Sequence, residues 1–316
     1  MNNLKKIGLT ALGTAMISTG AHAASMSVSG ATSIFFNGED NSDMGNGWSM
    51  TDSITFSASG EMDNGWSVST SIEMDNHTAA NSSRSISISA GDGKLTFSGE
   101  GGSGPVGAWD DVTPTANEEA HGVATAGTAT GATADAEDSN FFIFDYTAID
   151  NVAIKASYNP SNGATRDESS QELGVLFTGI DNLSVYLAAG ENNDDADGTT
   201  MGKAELMNMA LVYAAGDFKV GFQANEIDSD VANKDRDFEA VGFSYLVDGE
   251  NIQVSLNSST VDYEQSTLDD QEALGVSASY TSGGLTVSAA MSDIDNVAGT
   301  STSDNSGYEI NFAFAF

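Results

Sequence analysis

Residues 270–292 read DQEALGVSASYTSGGLTVSAAMS. Leu274, Val276, Ala278 and Tyr280 fall on every second position, as do Leu285, Val287, Ala289 and Met291. A period of two belongs to an extended strand, whose successive side chains point to opposite faces. The runs are joined by Thr281–Gly283, a connection short enough for a hairpin and carrying the glycine that such turns use. The stretch reads as two antiparallel strands with one apolar face each.

The same alternation runs outward from residue 25 to the end. Met26, Val28, Ile34 and Phe36 share a parity, as do Val152, Ile154, Ala156 and Tyr158, and Phe218, Val220 and Phe222. Helical spacing of three and four is nearly absent. About sixteen strands can be counted, and their connections alternate between short and long. Glu61–Asp63, Gly91–Gly93, Thr147–Asp150, Ala215–Gly216 and Val247–Gly249 are short, whereas 37–46, 101–139, 191–203 and 293–305 are long. That rhythm predicts an all-β antiparallel meander with tight turns at one end and loops at the other. The face opposite the apolar one is Ser, Thr, Gly, Asn and Gln, with Glu73, Lys155 and Lys219 among them. A soluble sandwich of sixteen strands would need two domains, and nothing in the composition between 140 and 316 marks a linker. A transmembrane barrel accounts for both faces, lipid outside and a water-filled lumen within, and sixteen strands is the size that leaves an aqueous channel. Trp48, Trp66, Phe36, Tyr158, Tyr213, Tyr245, Tyr280 and Tyr308 fall near strand ends, where aromatic girdles meet the lipid interfaces.

Composition narrows the function. The 316 residues include 46 acidic and 10 basic side chains, a formal charge of -36, which argues against a nucleic-acid partner. With no cysteine, disulfides, thiolate nucleophiles and Cys-ligated metals are excluded. Residues 1–23 read as a secretory signal peptide: Lys5 and Lys6, an apolar run from Ile7 to about Ile17, then Ala21-His22-Ala23 before the cleavage point. The apolar run is too short for roughly 30 Å of hydrocarbon. The mature barrel domain is then 24–316. His77 and His121 lie in loops, no HExxH or GxSxG motif is present, and no catalytic role is expected.

The last strand ends Asn-Phe-Ala-Phe-Ala-Phe at 311–316. With this ending and this rhythm, the sequence resembles the general diffusion porins of Gram-negative outer membranes, nearest to the compact alphaproteobacterial porins. The resemblance implies passive diffusion of small hydrophilic solutes and ions without a required cofactor. It also implies a homotrimer in outer-membrane lipid, and a terminal Phe316 read by the barrel-assembly machinery. Runner-up readings are a plugged or structural barrel or adhesin, and after them a barrel enzyme.

Residues 101–139 form the outsized connection, and a loop of that length is usually functional. As the third long loop it matches the family loop that folds into the lumen and narrows it. Its acids Asp110, Asp111, Glu118, Glu119, Asp135, Glu137 and Asp138 are the candidate constriction, and Trp109 and Val112 could anchor it to the wall. Family pores oppose such acids with a basic cluster. Here the candidate wall charges are Glu73, Arg84, Lys94, Lys155 and Lys219, too few bases for a cluster, so a negative, cation-preferring pore is expected. Asp110, Asp111, Glu118 and Glu119 are also candidate ligands for calcium, since a hard cation would relieve repulsion between adjacent carboxylates.

Overall fold

The computed structural model describes residues 25–39, 47–75, 81–123, 130–131, 139–161, 168–193, 202–247 and 251–316. The leader, His77, and the candidate acids Asp135, Glu137 and Asp138 lie outside them. Sixteen strands follow in order: β1 (Ser25–Glu39), β2 (Trp48–Glu61), β3 (Ser67–Asp75), β4 (Asn81–Ala90), β5 (Gly93–Glu100), β6 (Phe141–Ile149), β7 (Val152–Asn159) and β8 (Ser170–Ile180). The second half comprises β9 (Leu183–Asn192), β10 (Ala204–Ala215), β11 (Phe218–Ser229), β12 (Arg236–Leu246), β13 (Ile252–Tyr263), β14 (Gln271–Ser282), β15 (Leu285–Asp295) and β16 (Asn305–Ala315). One short helix, α1 (Pro105–Ala108), lies between β5 and β6.

Each strand pairs antiparallel with the next, and β16 returns to β1 to close the barrel. Closure runs through the last residue: the Gly30 N–H donates to the Phe316 carbonyl at 2.8 Å, and the Phe316 N–H donates to the Gly30 carbonyl at 3.0 Å. Glycine or asparagine with positive φ sits in the tight turns, as at Asn182 (65°) and Gly283 (62°). Only residues tolerant of that region can join strands so closely.

Alternation now has two sides. Leu173, Leu187, Met207, Val241, Leu256, Leu274 and Met291 are all exposed, while their neighbours Glu172, Ala188, Asn208, Ala240, Asn257, Ala273 and Ser292 are buried. The exposed apolar set is the outer wall. Around it run two aromatic girdles. Phe36, Trp48 and Tyr308 cluster at the long-loop end, with Phe36 and Trp48 centroids 4.9 Å apart, and Phe218 and Tyr245 pair at 4.6 Å at the tight-turn end. Beyond the first girdle the outer face turns acidic: Glu191 stands opposite Glu205, Glu205 opposite Asp228, Glu226 opposite Asp237, Asp237 opposite Asp262, and Glu272 opposite Asp295. Like charges directly across a sheet repel, so this band belongs in water rather than hydrocarbon.

β4 corrects one expectation. Arg84 pairs directly with Ile72, an exposed residue of the outer wall, and lies over Gly99. A register shift between Arg84 and Ser85 places Glu100 across from Arg84 and Ser98 across from Ser85. Arg84 therefore belongs to the outer face, not to the pore wall, as its shared parity with Ile86 and Ile88 implies.

Candidate functional site

Residues 104–123 lie along the inner wall and are held by side chains of strands far apart in sequence. At the start, the Val106 N–H donates to Oε2 of Glu172 on β8 at 2.9 Å, and Asn208 of β10 donates to the Val106 carbonyl at 3.2 Å. Gln223 of β11 makes a double clasp, accepting the Val112 N–H at 3.1 Å and donating to the Asp110 carbonyl. Farther on, Gln253 donates to the Thr115 carbonyl at 2.8 Å, Ser255 accepts the Ala116 N–H at 2.9 Å, and Asn257 donates to the Glu118 carbonyl at 3.2 Å. Asn117 reaches the end of the sheet, donating to Glu309 of β16 and accepting from Ser288 of β15 at 2.7 Å. Thr130 is clasped by Gln271 through both its N–H and its carbonyl, each at 2.9 Å. A loop has no ladder of its own, so the wall supplies the partners its buried backbone requires.

Shape fits as well as polarity. The loop rests on glycines that face inward from four strands. A Cβ on Gly174 would come within 2.3 Å of the Trp109 ring, on Gly221 within 2.5 Å of Pro114, on Gly242 within 2.9 Å of the Pro114 carbonyl, and on Gly275 within 2.8 Å of Ala120. Val106 is buried among Ala188, Ala204, Leu206 and Ile227, with Trp109 beside them. The Trp109 ring meets Tyr186 edge-on at 5.8 Å. Trp109 and Val112 thus both attach the loop to the wall. The parity of β10, ambiguous in sequence, is settled by the same packing: Leu206 turns inward under α1, and Met207 and Met209 turn out.

The wall left uncovered is a different surface. Inward-facing residues of β1–β5 are almost all hydroxyls, aligned in rows across the strands. One row is Ser25, Ser59, Ser69, Ser87 and Thr96, and the next is Ser27, Ser57, Ser71, Ser85 and Ser98. Glu73 faces inward with them and accepts the Ser83 hydroxyl at 3.3 Å. Lys94 and Lys155 also face inward, in one register row with Asp145 between them. Lys219 faces inward two residues before Gly221, which carries Pro114. No basic cluster is assembled among the described residues.

Of the loop acids, Asp111 and Glu118 are exposed, whereas Asp110 and Glu119 are part-buried. Although Glu118 keeps an accessible surface, the surrounding loop and wall partly desolvate its carboxyl and, with Glu309 and Asp111 near by, push it up to about 7. Burial also pushes Glu119 up, to about 9, helped by a hydrogen bond from carboxyl to carboxyl with Asp111. His121, its ring edge-on to Phe238 at 5.5 Å, is held below the usual histidine range by burial. The expected calcium ligands do not gather into a cage: among the described residues no three Asp, Glu or His groups converge on one point. Glu119, raised enough to keep its proton, hydrogen-bonds the Asp111 carboxylate instead, which relieves their repulsion without a metal.

Glu309, Glu172 and Gln223 were not singled out in sequence. Their signal was parity: each is a long polar side chain in the inward register of its strand.

A closed sixteen-strand barrel with a loop fastened inside it is a channel architecture, and family comparison agrees. A family model described as "Gram-negative porin" matches residues 8–265. The chain belongs to the Gram-negative porin family. This porin is accordingly an outer-membrane barrel with a diffusion-channel function. Its fold is shared by OmpT, an outer membrane protein of Vibrio cholerae, at 15% identity over 94% of this chain and 99% of that one, with a TM-score of 0.70. An anion-selective porin from Comamonas acidovorans aligns over 93% of this chain and 100% of its own, at 12% identity and a TM-score of 0.67. A mutant of the Rh. blastica porin aligns over 92% and 100%, at 14% identity and a TM-score of 0.64. Comparison with curated protein sequences gave no match.

Proposed function

We propose that this porin is a cation-preferring diffusion channel for small hydrophilic solutes, narrowed by residues 101–139. The observation that carries the reading is an imbalance of charge. Asp111 and Glu118 face open space from the loop, while the uncovered β1–β5 wall answers with neutral hydroxyls. Of the inward lysines, Lys94 and Lys155 share their row with Asp145. Fixed negative charge unopposed in a narrow aqueous path enriches cations and repels anions, less so as salt screens it.

The mature chain is residues 24–316, released by cleavage after Ala23, with Phe316 read by the assembly machinery. It works as a homotrimer, and its nearest style is the compact alphaproteobacterial porins. The outer face of β1–β4 supports association, because Thr32, Asp52, Thr70 and Arg84 interrupt its apolar surface. A wall of that kind is better covered by protein than by acyl chains. One measurement tests both readings: single-channel recording of purified protein in a planar bilayer under a KCl gradient. Triplet steps with a cation-selective reversal potential are expected. Anion selectivity would refute the charge argument, and single steps would refute the trimer.

A further inference from the structure

The inner seam between β16 and β1 is rich in acceptor oxygens and poor in donors. On the inward face of β16 stand Asn305, Gly307, Glu309 and Asn311, and the register sets Glu39 opposite Gly307 and Asn37 opposite Glu309. Gly307, between Asn305 and Glu309 on this face, adds no polar side chain of its own. Asn305 is only 8% exposed. Its Nδ2 donates to Oε2 of Glu39 at 3.2 Å, while its buried Oδ1 accepts nothing from the described residues. Oδ1 of Asn311 is in the same condition. A carboxylate has about four acceptor positions, yet among the described residues Glu39 and Glu309 are each given one donor, from Asn305 and Asn117. Buried acceptors without donors cost free energy. Two carboxylates and two carboxamide oxygens in one strip offer that missing partner's place to a hard cation.

Location makes the strip part of the permeation path. Asn117 is where the loop reaches the last strand, against Glu309, and the hydroxyl rows of the uncovered wall begin at the adjacent β1. We infer that the β16–β1 seam is a station for permeating cations, and that Glu309 is the specificity-determining residue contributed by the barrel wall rather than by the loop. The ligand class is small inorganic cations. With two carboxylates only, the station is a place of passage, in keeping with the need for weak binding in a conducting pore. This inference rests on the cation-preferring channel reading above.

The test is the cation-to-anion permeability ratio in KCl for wild type, Glu309→Gln, Asn305→Asp and the outer-face control Glu226→Gln. Glutamine preserves the acceptor for Asn117 and removes only charge. One charge lost some 5 Å from the path lowers the ratio about threefold after screening. Asn305→Asp raises the ratio, and the control leaves it unchanged. An unchanged ratio in conducting Glu309→Gln channels overturns the station while sparing the channel, as does an equal fall in the control, which would assign selectivity to the surface field. If Glu309→Gln does not insert, an unchanged ratio in Asn305→Asp overturns it equally. Anion preference in wild type overturns the cation reading, and absence of conductance from wild type overturns the channel itself.

Discussion

Gly174 of β8 is the seat of the loop's aromatic anchor, and Gly174→Ala is the smallest perturbation that unseats it. The new methyl would lie 2.3 Å from Cζ3 of Trp109 and 2.5 Å from Cβ of Pro105. Carbon atoms rest at about 3.5–4.0 Å, so ring and proline must both retreat by more than about 1 Å. Neither can retreat alone, because the Glu172 carboxylate holds the Val106 N–H at 2.9 Å and Tyr186 meets the ring. Overpacking of this kind costs about 1–3 kcal/mol. The barrel ladder does not depend on this contact, so the cost falls on docking of the loop. It shifts the docked population by roughly five- to 150-fold. Planar-bilayer recording should show larger mean conductance with flicker between levels, and limited proteolysis should cleave near Trp109 more readily. Gly60→Ala, whose Cβ would meet nothing within 4 Å, is the control. Wild-type conductance and noise from folded Gly174→Ala barrels would refute the idea that wall glycines position the loop.

Gln223→Leu leaves the Val112 N–H and the Asp110 carbonyl without their clasp. Each orphaned group costs about 1–3 kcal/mol, so open-channel noise should rise while barrel content by circular dichroism stays the same. Cation preference should climb from pH 6 to pH 8 as Glu118, with its carboxyl near 7, ionises, and climb again towards pH 9 with Glu119; Glu118→Gln should remove the first step in the reversal potential. The sign for stability is opposite. Because both carboxyls are raised in the folded chain, stability falls as pH rises from about 4.5 through each folded value, and loop proteolysis should quicken over that window. Deleting Phe316 removes two closure bonds to Gly30, about 1 kcal/mol each, and the yield of heat-resistant barrel on gels should drop sharply.

Which side of the wall a residue faces was legible wherever a strand ran straight. Leu274 and Val276 read as outward and Glu73, Lys155 and Lys219 as inward, because a strand has only two faces and water and lipid demand opposite chemistry. Arg84 was harder because it sits near a strand end, although its parity with Ile86 and Ile88 holds, since the extra residue at the shift belongs to β5. The loop's length and acidity were visible too, and so was the absence of a basic cluster, which follows from an inventory of eight lysines and arginines beyond the leader.

The sequence by itself determined the strand count to within about two, the two faces and the sign of the charge, since each is set by periodicity or composition within the chain. Tertiary structure alone decided what faces what. Glu309 meets Asn117 across 192 positions, Gln223 clasps a loop 111 positions earlier, and four glycines from β8, β11, β12 and β14 become one seat for it. Those contacts arise from closing the barrel and laying the loop across it. No local pattern records them, because each residue's own strand would form equally well without its partner.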